Sequence, residues 1–281
     1  MTRVAIARAF TSAVFAAVMI GAFFIGSAIY MRQRGGGAVA DTPSPDGGDG
    51  TVPTVGVANV PEPFVADLSA FEKYMEPGTD EYLFLVNNDN RLSESCIPTD
   101  LVAAPNIRSG YGTLYMREYA AKALQAMMLE AKANGYAVGS AADGRTLSVI
   151  SAYRSFEKQK SNFDRALNGY LSSGYSYEDA YRLTCRYYAL PGASEHQTGL
   201  CCDITTQVGE LTDSFANTGI YKWLSENAHR FGFILRYPKG GEGSTGISYE
   251  PWHYRYVGRK YAALIYESGL TLEEYLEKYP S

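Results

Sequence analysis

The sequence predicts an α+β fold: a small central antiparallel sheet with flanking helices. Three observations predict it. Apolar residues at helical spacing mark segments that precede or separate short strand-like runs, and no regular βαβ alternation links those runs. The chain has 281 residues, 46% of them hydrophobic, which is material for a packed core and excludes a wholly disordered chain.

Residues 9–31 are 23 positions without a charge, long enough as a helix to cross a hydrocarbon core about 30 Å thick. A cleavable signal has a shorter apolar centre closed by a small-residue site. Here Arg32 and Arg34 follow the run before the Ala38-Val39-Ala40 triplet that a peptidase could cut. Residues 1–31 therefore read as a membrane anchor, with a signal sequence as the alternative. Arg3 and Arg8 favour the N-terminus inside and the body outside the cell membrane. Residues 32–66 read as a flexible tether, because seven glycines and five prolines fall between Arg32 and Pro63 with no amphipathic period. Residues 67–281 form the extracellular domain.

Within that domain, Leu114, Ala120, Leu124, Met127, Met128 and Ala131 share one face of a helix over 113–134 that Gly135 stops. Residues 147–152 read as a strand and 156–171 as a helix. Another helix opens at Ser176, paired with Asp179 as a cap, in a segment ended by Pro191-Gly192. Strands are expected over 200–206 and 252–257, with a helix over 221–230 between them that stops before Gly232. Two short helices close the chain, the last opened by Thr271 with Glu274.

The charge excludes one class of function. With 25 basic and 30 acidic residues the formal net charge is −5, and nucleic-acid binders carry a clustered basic excess instead.

The chemistry is carried by few residues. Of three histidines, His196 lies in Ser194-Glu195-His196-Gln197-Thr198-Gly199 and His253 in Glu250-Pro251-Trp252-His253-Tyr254. Asp203 follows His196 across Gly199, so a loop can fold the imidazole back toward the carboxylate. His253 on a neighbouring strand completes a His, Asp, His set, and three protein ligands with a position left for water is the pattern of catalytic zinc, one ion per chain, in a cleft on the sheet. Glu250 is the candidate proton carrier. Strand alternation would point it away from His253 unless Pro251 holds it in the turn before the strand. The helical signature H-E-x-x-H is absent. His229 has no ligand spacing around it and reads as structural.

These residues resemble a known family. Ser151-Ala152-Tyr153-Arg154 with Gln159, the block from Ser194 to Leu200 with Asp203, and the block from Glu250 to Gly258 are similar in order and spacing to VanY-like zinc D-alanyl-D-alanine carboxypeptidases, over roughly residues 82–267. The resemblance implies a small α+β fold and removal of the C-terminal D-Ala from peptidoglycan stem peptides or muropeptide precursors. It implies His196, Asp203 and His253 as zinc ligands and Glu250 as base. It also implies that Arg154 grips the substrate carboxylate, for which its planar fork is suited, while Gln159 and Ser194 add hydrogen bonds. Trp252 reads as packing beside the site.

The sequence departs from the family at Cys201-Cys202, where small or apolar residues are expected. With Cys96 and Cys185 they make four cysteines, compatible with up to two disulfides in an external domain. A zinc–thiolate site is the weaker reading, because adjacent cysteines rarely close a tetrahedron and three other ligands suffice. Alternation puts Cys201 on Asp203's face and Cys202 on the other. Rival functions are an L,D-carboxypeptidase acting on the tetrapeptide stem and a non-catalytic wall-peptide sensor. The sensor should have lost the base or a ligand, and neither is lost.

Overall fold

The computed structural model describes residues 62–208 and 211–280. The expected anchor, 9–31, and nearly all of the tether lie outside them. None of the described helices is long and apolar enough to cross a membrane.

In chain order the elements are α1 (Glu72–Met75), β1 (Leu101–Ala103), β2 (Tyr115–Arg117), α2 (Glu118–Ala133), β3 (Ser148–Ser151), α3 (Phe156–Ser172), α4 (Tyr177–Cys185), β4 (Cys201–Thr205), α5 (Gly219–Asn227), β5 (Phe233–Leu235), α6 (Glu242–Thr245), β6 (His253–Tyr256), α7 (Arg259–Ser268) and α8 (Leu272–Lys278). The main sheet runs β3-β4-β6-β5, every pair antiparallel, and β1 with β2 forms a separate hairpin. This is the expected α+β architecture.

Helix α2 explains how the sheet is held. Ala120, Ala123, Leu124, Ala126, Met127 and Ala131 are fully buried in the main core, so the helix is enclosed on most of its circumference. Against that core the sheet sets Cys202, Ile204, Tyr254 and Tyr256. By alternation its other face carries Cys201, Asp203, His253 and Arg255. A second apolar cluster, with Ile234, Leu264, Ile265 and Leu272, fixes α7 and α8 to the β5 edge.

Most elements fall where the sequence puts them. Ser176 accepts from Asp179 N, and Thr271 with Glu274 forms a full capping box. The helix expected over 113–134 starts later, at Glu118, because Tyr115–Arg117 is spent pairing with Leu101–Ala103. The helix expected over 221–230 ends at Asn227 and tightens into a 3-10 turn that Gly232 stops with φ 87°. The body also begins before residue 67. Val65 N and Ala66 N donate to the Glu130 carboxylate at 2.9 and 2.8 Å, and Phe64 packs on Phe231.

The expected disulfides do not form: all four thiols are free. Cys201 and Cys202 are buried on opposite faces of one strand, whereas Cys96 is exposed and Cys185 half-buried.

Candidate metal centre

Register assembles the centre. Asp203 stands directly opposite His253 across the β4–β6 pair, so both side chains rise from the same face. His253 Nδ1 lies 3.0 Å from Asp203 Oδ1. His196 comes from the 3-10 turn Glu195–Thr198, and its Nε2 lies 3.4 Å from Asp203 Oδ2. The two rings meet edge to face, 5.0 Å between centroids.

Each imidazole is aimed from behind. His196 Nδ1 donates to Ala152 O at 2.7 Å, which leaves Nε2 as the nitrogen with a lone pair to offer. Its turn closes at Gly199, φ 68°, where a Cβ would stand 2.9 Å from Leu101 Cδ2 and 3.3 Å from Arg117 N. Only glycine lets the hairpin pack this close. His253 turns its Nε2 toward Glu195 Oε2, 3.7 Å away.

Glu250 lies in the turn before β6, as Pro251 requires. His253 N donates to Glu250 O at 3.2 Å, and Glu250 Oε2 comes within 3.8 Å of His253 Nδ1. Burial pushes the Glu250 carboxyl up to about 7, against the pull of His253. That places its proton exchange near neutrality, where acid-base work is most effective.

Arg154 reaches the centre through a bulge. The β3–β4 register shifts between Val149 and Ser151, which brings Ser151 opposite Asp203. Arg154 N then donates to His196 O at 3.0 Å. Its guanidinium bonds Gln159 Oε1 at 2.7 Å and Ser151 Oγ at 3.3 Å. Gln159 is buried, donates its amide N–H to Ala189 O, and through Oε1 holds Arg154 in place. Ser194, also buried, immediately precedes the His196 turn.

A family model described as VanY, D-alanyl-D-alanine carboxypeptidase, matches residues 113–259, more than half of the chain. The chain belongs to the VanY family. A D-alanyl-D-alanine carboxypeptidase of Enterococcus faecalis is 47% identical over 137 residues, which are 48% of this chain and 49% of that one, so this VanY-family chain matches about half the length of that relative. Among solved structures, the LdcB LD-carboxypeptidase is 39% identical with a TM-score of 0.61, covering 71% of this chain and 87% of that one. A variant of the vancomycin resistance D,D-pentapeptidase VanY, in complex with Zn(II), is 38% identical with a TM-score of 0.52, covering 69% and 98%.

The donor set of this VanY-family chain suits a divalent cation. Burial and Arg154 oppose a charge on His196, yet Cys201 and Asp203 outweigh them and raise it to about 9. Asp203 itself is held well below the usual carboxylate range: burial opposes its charge, and the two imidazoles prevail. A cluster that draws protons this way is one whose charge a metal ion balances.

Sequence reasoning missed the support beneath the centre. Glu195 Oε1 accepts from Arg236 Nε at 2.7 Å and Arg255 Nη1 at 2.9 Å, all three side chains fully buried. Arg236 continues to both oxygens of Glu273, at 2.8 and 2.6 Å, and Arg255 to the carbonyls of Tyr82 and Phe84. The signal was faint: an arginine inside a strand otherwise built from aromatic residues. Tyr237, whose ring lies 4.9 Å from that of His253, gave none.

Proposed function

We propose that the protein is a zinc-dependent D,D-carboxypeptidase that removes the C-terminal D-Ala from peptidoglycan stem peptides, with His196, Asp203 and His253 holding the ion. The observation that carries this reading is the convergence of His196 Nε2 and His253 Nδ1 on the two oxygens of Asp203, with Glu250 beside them. Zinc, when bound at such a set, supplies a water acidified to near neutrality and a Lewis acid for the scissile carbonyl.

The remaining work belongs to the chain. Glu250 takes a proton from the attacking water and returns it to the leaving amine, a role its raised pKa suits. Arg154, oriented by Gln159 and Ser151, pairs with the terminal carboxylate, and charge-assisted bonds of this kind are the strong ones. Ser194 adds a hydrogen bond to the peptide. Ala152 O and Glu195 keep the imidazoles aimed, so the site costs little reorganisation on binding.

A second reading, L,D-carboxypeptidase action on the tetrapeptide stem, is favoured by the likeness to LdcB. Both use the same centre and differ in the pocket for the residue before the scissile bond. Incubating the full chain with pentapeptide and tetrapeptide muropeptides, with and without chelator, separates them by mass. Chelator-sensitive loss of one alanine from the pentapeptide is expected. Loss from the tetrapeptide alone would establish the second reading, and an inert, metal-free protein would remove both.

A further inference from the structure

We propose that the ion at this centre is also bound by the Cys201 thiolate, as a fourth protein donor beside the two imidazoles and Asp203. The inference rests on the metal centre of the preceding reading and goes beyond it.

Strand alternation is the starting point. Cys201 lies two residues before Asp203 on β4 and stands opposite Arg255, two residues after His253 on β6, so its side chain rises on the site face of the sheet. One ligand atom each from His196, Cys201 and His253 lie within 4.8 Å of one another, and all three residues are buried. Zn–S and Zn–N bonds of about 2.3 and 2.1 Å put donors on a tetrahedral ion about 3.5 Å apart. Asp203 stands outside that cluster, so bringing the sulfur and the carboxylate onto one ion with the imidazoles takes a movement of the side chains.

Buried cysteines are often no more than small apolar packing. Cys202 is that: it sits in the main core with Ile204 and Tyr254. Cys201 is not in that core, and it shares its face with Asp203, His253 and Arg255. The adjacent pair thus supplies one donor rather than two, which removes the geometric objection to sulfur at this site. On binding, the thiol proton leaves to solvent and a sulfur–metal bond forms. Zinc imposes no geometry of its own and sometimes expands to five ligands in the transition state, so a fourth protein donor still admits the attacking water there. A thiolate shifts the site toward thiophilic metals and makes the ion a weaker Lewis acid than a site without sulfur.

Cobalt(II) loading of the full chain tests this, because a cysteine ligand gives an intense near-ultraviolet sulfur-to-cobalt charge-transfer band that nitrogen and oxygen donors do not. The band is expected in the parent protein and in Cys185→Ser, and lost in Cys201→Ser and Cys201→Ala, with the weaker visible bands of bound cobalt retained. Bound cobalt without the band, or a band that survives Cys201→Ser, overturns the proposal and leaves the carboxypeptidase reading standing. If the Cys201 variants do not fold, X-ray absorption on the zinc-loaded parent decides: a sulfur shell at about 2.3 Å supports it, and a shell of nitrogen and oxygen alone overturns it. A chain that binds neither metal sinks the metal centre, and this proposal with it.

Discussion

Glu195 Oε2 and His253 Nε2 face each other 3.7 Å apart, both buried, and neither has a hydrogen-bond partner. Two orphaned polar atoms in contact range are costly apart and stabilising together. If His253 gives Nδ1 to a metal, Glu195 is the carboxylate that faces its Nε2–H. Glu195→Gln should therefore weaken zinc binding about 10- to 100-fold, the usual scale for losing the group that orients a histidine ligand. Competition against a coloured chelator measures it. Glu273→Gln, which disturbs the same Arg236 but does not touch His253, should leave the affinity unchanged. Equal losses in both variants would reduce Glu195 to a structural anion.

Arg154 is a fork with one prong tied to Gln159. Arg154→Ala should raise KM about 10- to 100-fold with a smaller change in kcat, the range expected for a hydrogen bond to a charged group. Peptides with an amidated C-terminus should be equally poor for parent and variant. Gln159→Leu should show the same pattern more weakly, since the guanidinium stays but its orientation is lost. An unchanged KM in Arg154→Ala would remove it from the substrate.

Gly199 carries the turn that presents His196. Gly199→Ala meets both a left-handed φ of 68° and a Cβ 2.9 Å from Leu101 Cδ2. A loss of about 1–3 kcal/mol in stability is expected, together with weakened zinc binding. Urea unfolding and the chelator assay check the two parts separately.

His229 makes stability depend on acid. Its ring stacks on Tyr266 at 4.0 Å, and burial, helped by Arg230, pushes its pKa down to about 4. The unfolded chain takes up this proton near the ordinary histidine value of about 6.5 while the folded one refuses it. Stability is therefore untouched by this group above that pH and falls as the pH drops from about 6.5 toward 4. In His229→Gln the loss between pH 7 and pH 5 should be smaller than in the parent, by urea unfolding at both values. An identical loss would show that other groups set the acid limit.

The legibility of the chain divides along a physical line. His196, Asp203, His253 and Glu250 could be found because scarce, chemically distinct residues stood at fixed offsets around a glycine and a proline. The location of Glu250 in the turn before β6 agrees with the bias that Pro251 puts on its predecessor. The buried ion network could not be read, because nothing local pairs Glu195 with Arg236 forty-one positions away; only the closed sheet brings them together. The substrate role of Gln159 came from the family resemblance, and no local pattern showed that its amide also bonds Ala189 O and the Arg154 guanidinium. Strand β2 was hidden inside the helix expected over 113–134, where Leu114 matched the helix period by chance and pairing with Leu101–Ala103 overrode it.

The most direct test is the zinc content of the purified full chain and of four single variants. The account expects about one zinc per chain in the parent and in Glu250→Ala, the latter slowed about 10²- to 10⁴-fold, and little or none in His196→Ala, Asp203→Ala and His253→Ala. Zinc retained at full stoichiometry in those three folded variants, or absent from the parent after zinc loading, would contradict it.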